Sequence, residues 1–143
     1  MTIEQAQEQI VSQFQDLQNW EDRYKKIIAL GKELPSLPEE YYTDKYKVNG
    51  CQSQVWLHAK MQSGKIVFIG DSDAMIVKGL LAILLKIFSE RSPEEVMQTT
   101  PDFITKIGLN VHLSQSRSNG VAAMIKQMKL YALALHTMQS KEN

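Results

Sequence analysis

Apolar positions recur at helical spacing over the first part of the chain and then switch to a period of two. Ile3, Ala6, Ile10, Phe14 and Leu17 fall on one helical face. Thr2 can cap that helix while Gln5 reaches back to complete a capping box. Asn19 is a good N-cap for a second helix. Its stripe is Trp20, Tyr24, Ile27, Ile28, Gly31 and Leu34, and Pro35 ends it. Together the two predict a helical hairpin with one apolar seam. The stretch from Pro35 to Asn49 is the least regular, with a short first strand expected near Tyr46-Lys47-Val48. Tyr41, Tyr42 and Tyr46 fit either a partner surface or packing over the edge of a sheet.

From Gln54 the pattern alternates, with Val55, Leu57, Ala59 and Met61 on one face and Trp56, His58 and Lys60 on the other. That is strand periodicity. Gln62-Ser63-Gly64-Lys65 is a turn signal, and Ile66-Val67-Phe68-Ile69 is the returning strand. Gly70-Asp71-Ser72-Asp73 closes the hairpin, with Asp71 and Asp73 read as caps for a helix from Ala74 to about Ser89. That helix is apolar nearly all round and so belongs in the middle of the fold. Gly79 within it costs about 1 kcal/mol relative to alanine, and close packing against the sheet would explain it.

Ser92-Pro93-Glu94-Glu95 is a second capping box, and Thr100-Pro101-Asp102 opens a short helix that Gly108 can close. Ser114 or Ser116 can cap a last helix striped by Val121, Met124, Ile125, Met128, Tyr131, Ala132 and Leu135. Lys141-Glu142-Asn143 should fray. With no repeat and no linker, residues 1–143 read as one α+β domain, a small antiparallel sheet packed on helices.

Composition narrows the function. The 143 residues carry 16 Lys plus Arg and 16 Asp plus Glu, a formal net charge of zero. That balance gives no footprint for nucleic acid or a membrane surface. Lys78 and Lys86 bracket the apolar run Leu80 to Leu85 too closely for a membrane span. The start, Met1-Thr2-Ile3-Glu4-Gln5, does not resemble a signal peptide. One cysteine makes no internal disulfide, so the expected compartment is reducing and cytoplasmic. Cys51 with His58, His112 and His136 offers no metal-ligand spacing, and no resolving thiol exists for CxxC chemistry. No phosphate loop is present. The expectation is no metal and no cofactor.

Cys51 is the candidate for chemistry. Gly50 lets the backbone turn, and Gln52, Ser53 and Gln54 are hydrogen-bonding neighbours able to hold a loop. A loop thiol on a rigid scaffold can be a nucleophile, but a lone cysteine is also a common inert core residue. The residues alone leave both open. A Cys–His hydrolase is a further possibility. His58 lies seven positions along an extended strand, roughly 20 Å away, which leaves His112 as the better partner.

The string Gly50-Cys51-Gln52-Ser53-Gln54-Val55-Trp56 resembles the cysteine motif of the SufE family. So do Gly70-Asp71-Ser72-Asp73-Ala74 with Ile76-Val77-Lys78-Gly79-Leu80, and His112-Leu113-Ser114 with Ser116-Arg117-Ser118-Asn119-Gly120. Asn19-Trp20, Tyr24, Ile28 and Leu30-Gly31 resemble its N-terminal region. The resemblance implies a SufE/IscU-like fold and an accessory sulfurtransferase without independent turnover. It implies that Cys51 accepts persulfide sulfur from a SufS- or CsdA-like cysteine desulfurase, whose pyridoxal phosphate stays with the partner. Sulfur would then pass to an iron–sulfur scaffold complex. Asp73, His112 and Arg117 become candidates for partner binding or thiolate stabilisation. A persulfide in free solution is easily lost, so the loop is expected to tuck Cys51 against apolar surface and swing out on docking, with Gly50 as hinge. The alternative is a non-catalytic adaptor with a structural cysteine.

Overall fold

A computed structural model describes residues 1–142, and side chains as far as residue 139. Asn143, part of the segment expected to fray, lies outside the described residues, and the last helix is helical through Glu142. In chain order the elements are α1 (Ile3–Gln15), α2 (Trp20–Lys32), β1 (Val55–Gln62), β2 (Lys65–Ser72), α3 (Met75–Phe88), α4 (Pro93–Gln98), α5 (Phe103–Ile107), α6 (Leu109–His112) and α7 (Gln115–Glu142). This is the expected α+β architecture, an antiparallel two-stranded sheet packed on helices. Among the described residues no helix is long and apolar enough to cross a membrane.

α3 is the centre, as its all-round apolarity requires. Leu81, Ile83, Leu84, Ile87 and Phe88 are fully buried. The sheet lies against α3 and α7, with Val55, Leu57, Ala59, Ile66 and Phe68 turned to the core. Its strands join through Ser63-Gly64, both at positive φ (53° and 77°), in register Gln62 to Lys65. Positive φ at both central residues matches the right-handed twist of a two-residue hairpin. The two capping boxes, at Thr2 and Ser92, form as expected. Gly108 closes α5 in the left-handed conformation, and Ser114 Oγ accepts from the Arg117 amide at the start of α7.

Four expectations need correction. First, α1 and α2 do not share a seam. α2 runs along α3, and α1 packs on α3 and α5. Short-range periodicity shows which face of a helix is apolar but not which partner covers it. Second, Gly79 does not face the sheet but α2. A Cβ on Gly79 would lie 2.1 Å from the Ile27 carbonyl oxygen, and one on Gly31 would lie 2.7 Å from the Gly79 nitrogen.

Third, Tyr46-Lys47-Val48 is no strand. Asp44–Tyr46 forms a 3-10 turn, and the pairing that follows is one bridge, Lys47 to Trp56, with the Val48 amide donating to the Val55 carbonyl at 2.8 Å. The turn at Gly50 follows too soon for a longer ladder. The tyrosines instead cover the outer face of the sheet. Tyr42 meets Trp56 edge-on at 5.0 Å, while Tyr41 and Tyr46 enclose His58 at 5.0 and 5.1 Å.

Fourth, neither Asp71 nor Asp73 caps α3, whose N-cap Ala74 has no side-chain cap. Asp71 is buried and holds three groups: the Tyr42 hydroxyl at 2.6 Å, the Lys78 ammonium at 3.1 Å and the Ser72 amide at 2.8 Å. Burial alone would raise its pKa. The hydrogen bonds from Tyr42, Lys78 and Ser72 and the Lys78 charge outweigh that and hold it below 3.8. A depressed carboxylate contributes stability that is full above its unfolded value and lost as pH falls through the lower folded value. Asp71→Asn is therefore expected to destabilise by about 1–3 kcal/mol at neutral pH. Urea melts should show the gap between wild type and variant closing below about pH 4.

Candidate functional site

Cys51 sits on a loop with both ends pinned and little holding its middle. On the incoming side the Val48 amide is bound to Val55, and Gly50 then turns at φ 93°, a left-handed conformation that favours glycine. On the outgoing side Gln54 is clamped. Its amide donates to Asp73 Oδ1 at 3.0 Å, and its carbonyl accepts from the Asp73 amide at 3.2 Å and from Ser72 Oγ at 2.8 Å. Between these ends Gly50 lies close to Ala123 of α7, and the Cys51 thiol donates to the Gly120 carbonyl of α7 at 3.6 Å.

The half-buried thiol lines a cavity of about 390 Å³. Ile76, Val77 and Leu80 of α3 and Met124 of α7 give it an apolar floor, and Ser114, Ser116 and Arg117 bring polar groups to it. Burial pushes the thiol pKa up from 9.0. At neutral pH the resting sulfur is a protonated thiol, and because the thiolate is the nucleophile, it is held in a poorly reactive form.

The structure gathers some of the sequence candidates and separates others. Gln52 and Ser53 line the cavity beside Cys51, as does Arg117. The Arg117 guanidinium lies over the Tyr24 ring, 6.0 Å from its centroid, an arrangement with cation–π attraction. Asp73 acts one residue removed, through its hold on Gln54. His112 is not brought to the cavity. It stacks flat on Trp20, 4.8 Å between ring centres, and touches Gly108. His58 is enclosed by tyrosines on the sheet, and burial lowers its pKa. Among the described residues no imidazole lines the cysteine cavity, so the geometry offers no Cys–His pair.

The Gly120 carbonyl and the apolar floor are the parts that sequence reasoning did not single out. Gly120 closes the last resemblance block, and that was its only signal. A Cβ there would stand 3.6 Å from the Cys51 sulfur, so glycine is not forced by space. Nothing in a helix apolar all round says that Ile76, Val77 and Leu80 face a thiol. Among the described residues no cluster of three or more His, Cys, Asp and Glu could hold a metal ion.

Comparison with known proteins places this chain in a family. Residues 8–132 match SufE, an Fe–S metabolism associated domain. A SufE-like protein of Rhizobium meliloti is 46% identical over 127 residues, covering 85% of this chain and 91% of the relative. A Synechocystis SufE-like protein is 40% identical over 131 residues, covering 92% and 82%. An Arabidopsis thaliana relative, SufE-like protein 1, chloroplastic/mitochondrial, is 37% identical over 137 residues, which is 95% of this chain and 37% of that longer protein. The solution structure of a Thermus thermophilus protein shares the fold, with a TM-score of 0.77 at 22% identity over 92% of this chain and 96% of that one. The chain belongs to the SufE family of Fe–S metabolism associated domains.

Proposed function

We propose that this protein accepts sulfur from a cysteine desulfurase onto Cys51 and passes it to an iron–sulfur assembly scaffold. The observation that carries the reading is a single thiol on a pinned loop, resting on one carbonyl over an apolar cavity. The partner holds sulfur as a persulfide on its own cysteine. Cys51 gives up its proton to solvent or a partner base, and its thiolate attacks the outer sulfur. One S–S bond forms as the other breaks, and the partner's thiolate departs with the electron pair. No net oxidant or reductant is needed. Transfer to the scaffold repeats the exchange with the next thiol. Pyridoxal phosphate belongs to the desulfurase, SufS- or CsdA-like, and the protein needs no cofactor of its own. The lone thiol suits the reducing environment of the cytoplasm.

Burial of Cys51 serves this chemistry. A persulfide left in open solution is oxidised or lost to other thiols. The cavity shelters it, and docking draws the loop out between its pinned ends. Alkylation of Cys51 by iodoacetamide is therefore expected to be slow in the free protein and faster in the desulfurase complex once the active site is opened by a catalytically inert partner. Equal rates in the two states would contradict the gating.

The test of the function is alanine release by a SufS- or CsdA-like desulfurase fed free cysteine and a reductant. Adding this protein should raise turnover several-fold. No rise with any desulfurase would contradict the acceptor reading.

A further inference from the structure

A largely apolar groove lies along α7, separate from the thiol cavity. Its volume is about 820 Å³, and none of its lining residues also lines the Cys51 cavity. One wall is a stripe of α7 from Ala122 to Leu133, spanning roughly 16 Å or three turns. Leu130 and Leu133 on that stripe remain 48% and 51% exposed. Ile104 of α5, Leu109 of α6 and Leu113 also line the groove. Leucines left open in a concavity mark a surface that gains by being covered.

The charges along this groove are of one sign. Lys126 and Lys129 line it, and no carboxylate does. Lys129 Nζ donates to the Thr99 carbonyl at 2.8 Å, which fixes its ammonium at the rim without neutralising it. Lys126 has no ion pair among the described residues. On α4 the Glu94 carboxylate is turned to His136 at 3.3 Å, and Glu95 serves the capping box. Among the described residues the groove therefore presents two cations without an ion-pair partner beside an apolar floor.

We propose that this groove docks an amphipathic helix of a partner protein, with apolar side chains seated against Leu130 and Leu133 and carboxylates facing Lys126 and Lys129. Both walls are largely helical, and helix backbone groups are bonded internally, so there is no strand edge for an extended peptide to join. Recognition must run through side chains, and helix-in-groove binding is that mode. A second copy of this chain is disfavoured, because a symmetric pairing would set Lys126 and Lys129 of each copy against the other's. The acidic flanks supply orientation and encounter rate, and the leucines supply affinity. The proposal stands apart from the sulfur reading, since the groove and the thiol cavity share no residue.

The test uses the full chain and a displayed library of amphipathic helices with randomised flanking positions, counter-selected against Leu130→Glu. Enriched peptides should be acidic at the flanks, and their binding should weaken at least about tenfold with Leu130→Glu or Lys126→Glu. Raising salt should weaken it further. Unchanged melting temperatures would show that both variants fold. Enrichment of neutral or basic peptides, or no binder that depends on Leu130, would overturn the proposal. So would saturable binding of dodecanoate to this groove, or self-association by sedimentation that Leu130→Glu abolishes.

Discussion

Cys51→Ser is expected to fold normally and to lose all stimulation of a cysteine desulfurase. The structural part follows from what the thiol touches. Sγ is half-buried and makes one weak contact with the Gly120 carbonyl, which a serine hydroxyl can also make. The substitution leaves a slightly smaller group in a cavity already open to solvent, so the melting temperature should move little. The chemical part follows from the nucleophile. Sulfur transfer needs a thiolate to receive the outer sulfur and then release it by a second exchange. A serine oxygen is not ionised at neutral pH and forms no persulfide. Alanine release in the presence of the variant should fall to the rate of the desulfurase alone, while the complex still forms. An adaptor with a structural cysteine predicts the opposite, with stimulation retained by the variant.

The largest expected effect on stability is at Gly79. Alanine there adds a Cβ at 2.1 Å from the Ile27 carbonyl oxygen and 2.6 Å from its carbonyl carbon. The obstacle is the α2 backbone, so no side-chain rotation relieves it, and α2 must move away from α3. Alanine would gain about 1 kcal/mol in helix propensity. Overpacking of a tight core contact costs about 1–3 kcal/mol or more. A rigid backbone neighbour puts this case at the upper end, so Gly79→Ala should lose about 2 kcal/mol net. For a chain of this length that lowers the melting temperature by roughly 4–8 °C. Gly120→Ala is the matched control. It too lies in a helix, but its Cβ would meet only the Cys51 sulfur at an ordinary 3.6 Å. It should be neutral or slightly stabilising.

Gly79 also shows where sequence reasoning stops. Its presence inside an apolar helix signals a close approach, and the approach is real. The partner was misassigned because periodicity fixes a face and not a neighbour, and a long-range choice between α2 and the sheet leaves no local trace. The same holds for the first two helices, whose stripes were legible and whose hairpin was not. Caps with a fixed local spacing, Thr2 with Gln5 and Ser92 with Glu95, were readable because both partners lie within one turn. Asp71 and Asp73 looked like caps by the same logic. Here the tertiary competitors won: a tyrosine 29 residues away for Asp71, and the Gln54 amide 19 residues away for Asp73.

The site divides the same way. The loop at Cys51, with Gly50 at positive φ, was legible from its turn residues and alternating strand. Its clamp was not, because Gln54 is held by its backbone to Ser72 and Asp73 and not by the side-chain amide and hydroxyl groups of Gln52, Ser53 and Gln54. The cavity that receives the thiol was not, because its floor comes from α3 and α7, distant in the chain. His112 illustrates the risk of pairing residues by chemistry alone. Its block stands near Arg117 in sequence, yet its ring stacks on Trp20 and leaves the cavity to Arg117, Ser114 and Ser116 from that block.

The most direct test of the sulfur-acceptor account is the intact mass of the protein after incubation with a cysteine desulfurase and free cysteine. The account predicts a gain of one sulfur atom on the wild type, erased by reductant and absent from Cys51→Ser. An unchanged mass with SufS- and CsdA-like desulfurases, under conditions where the complex demonstrably forms, would contradict it.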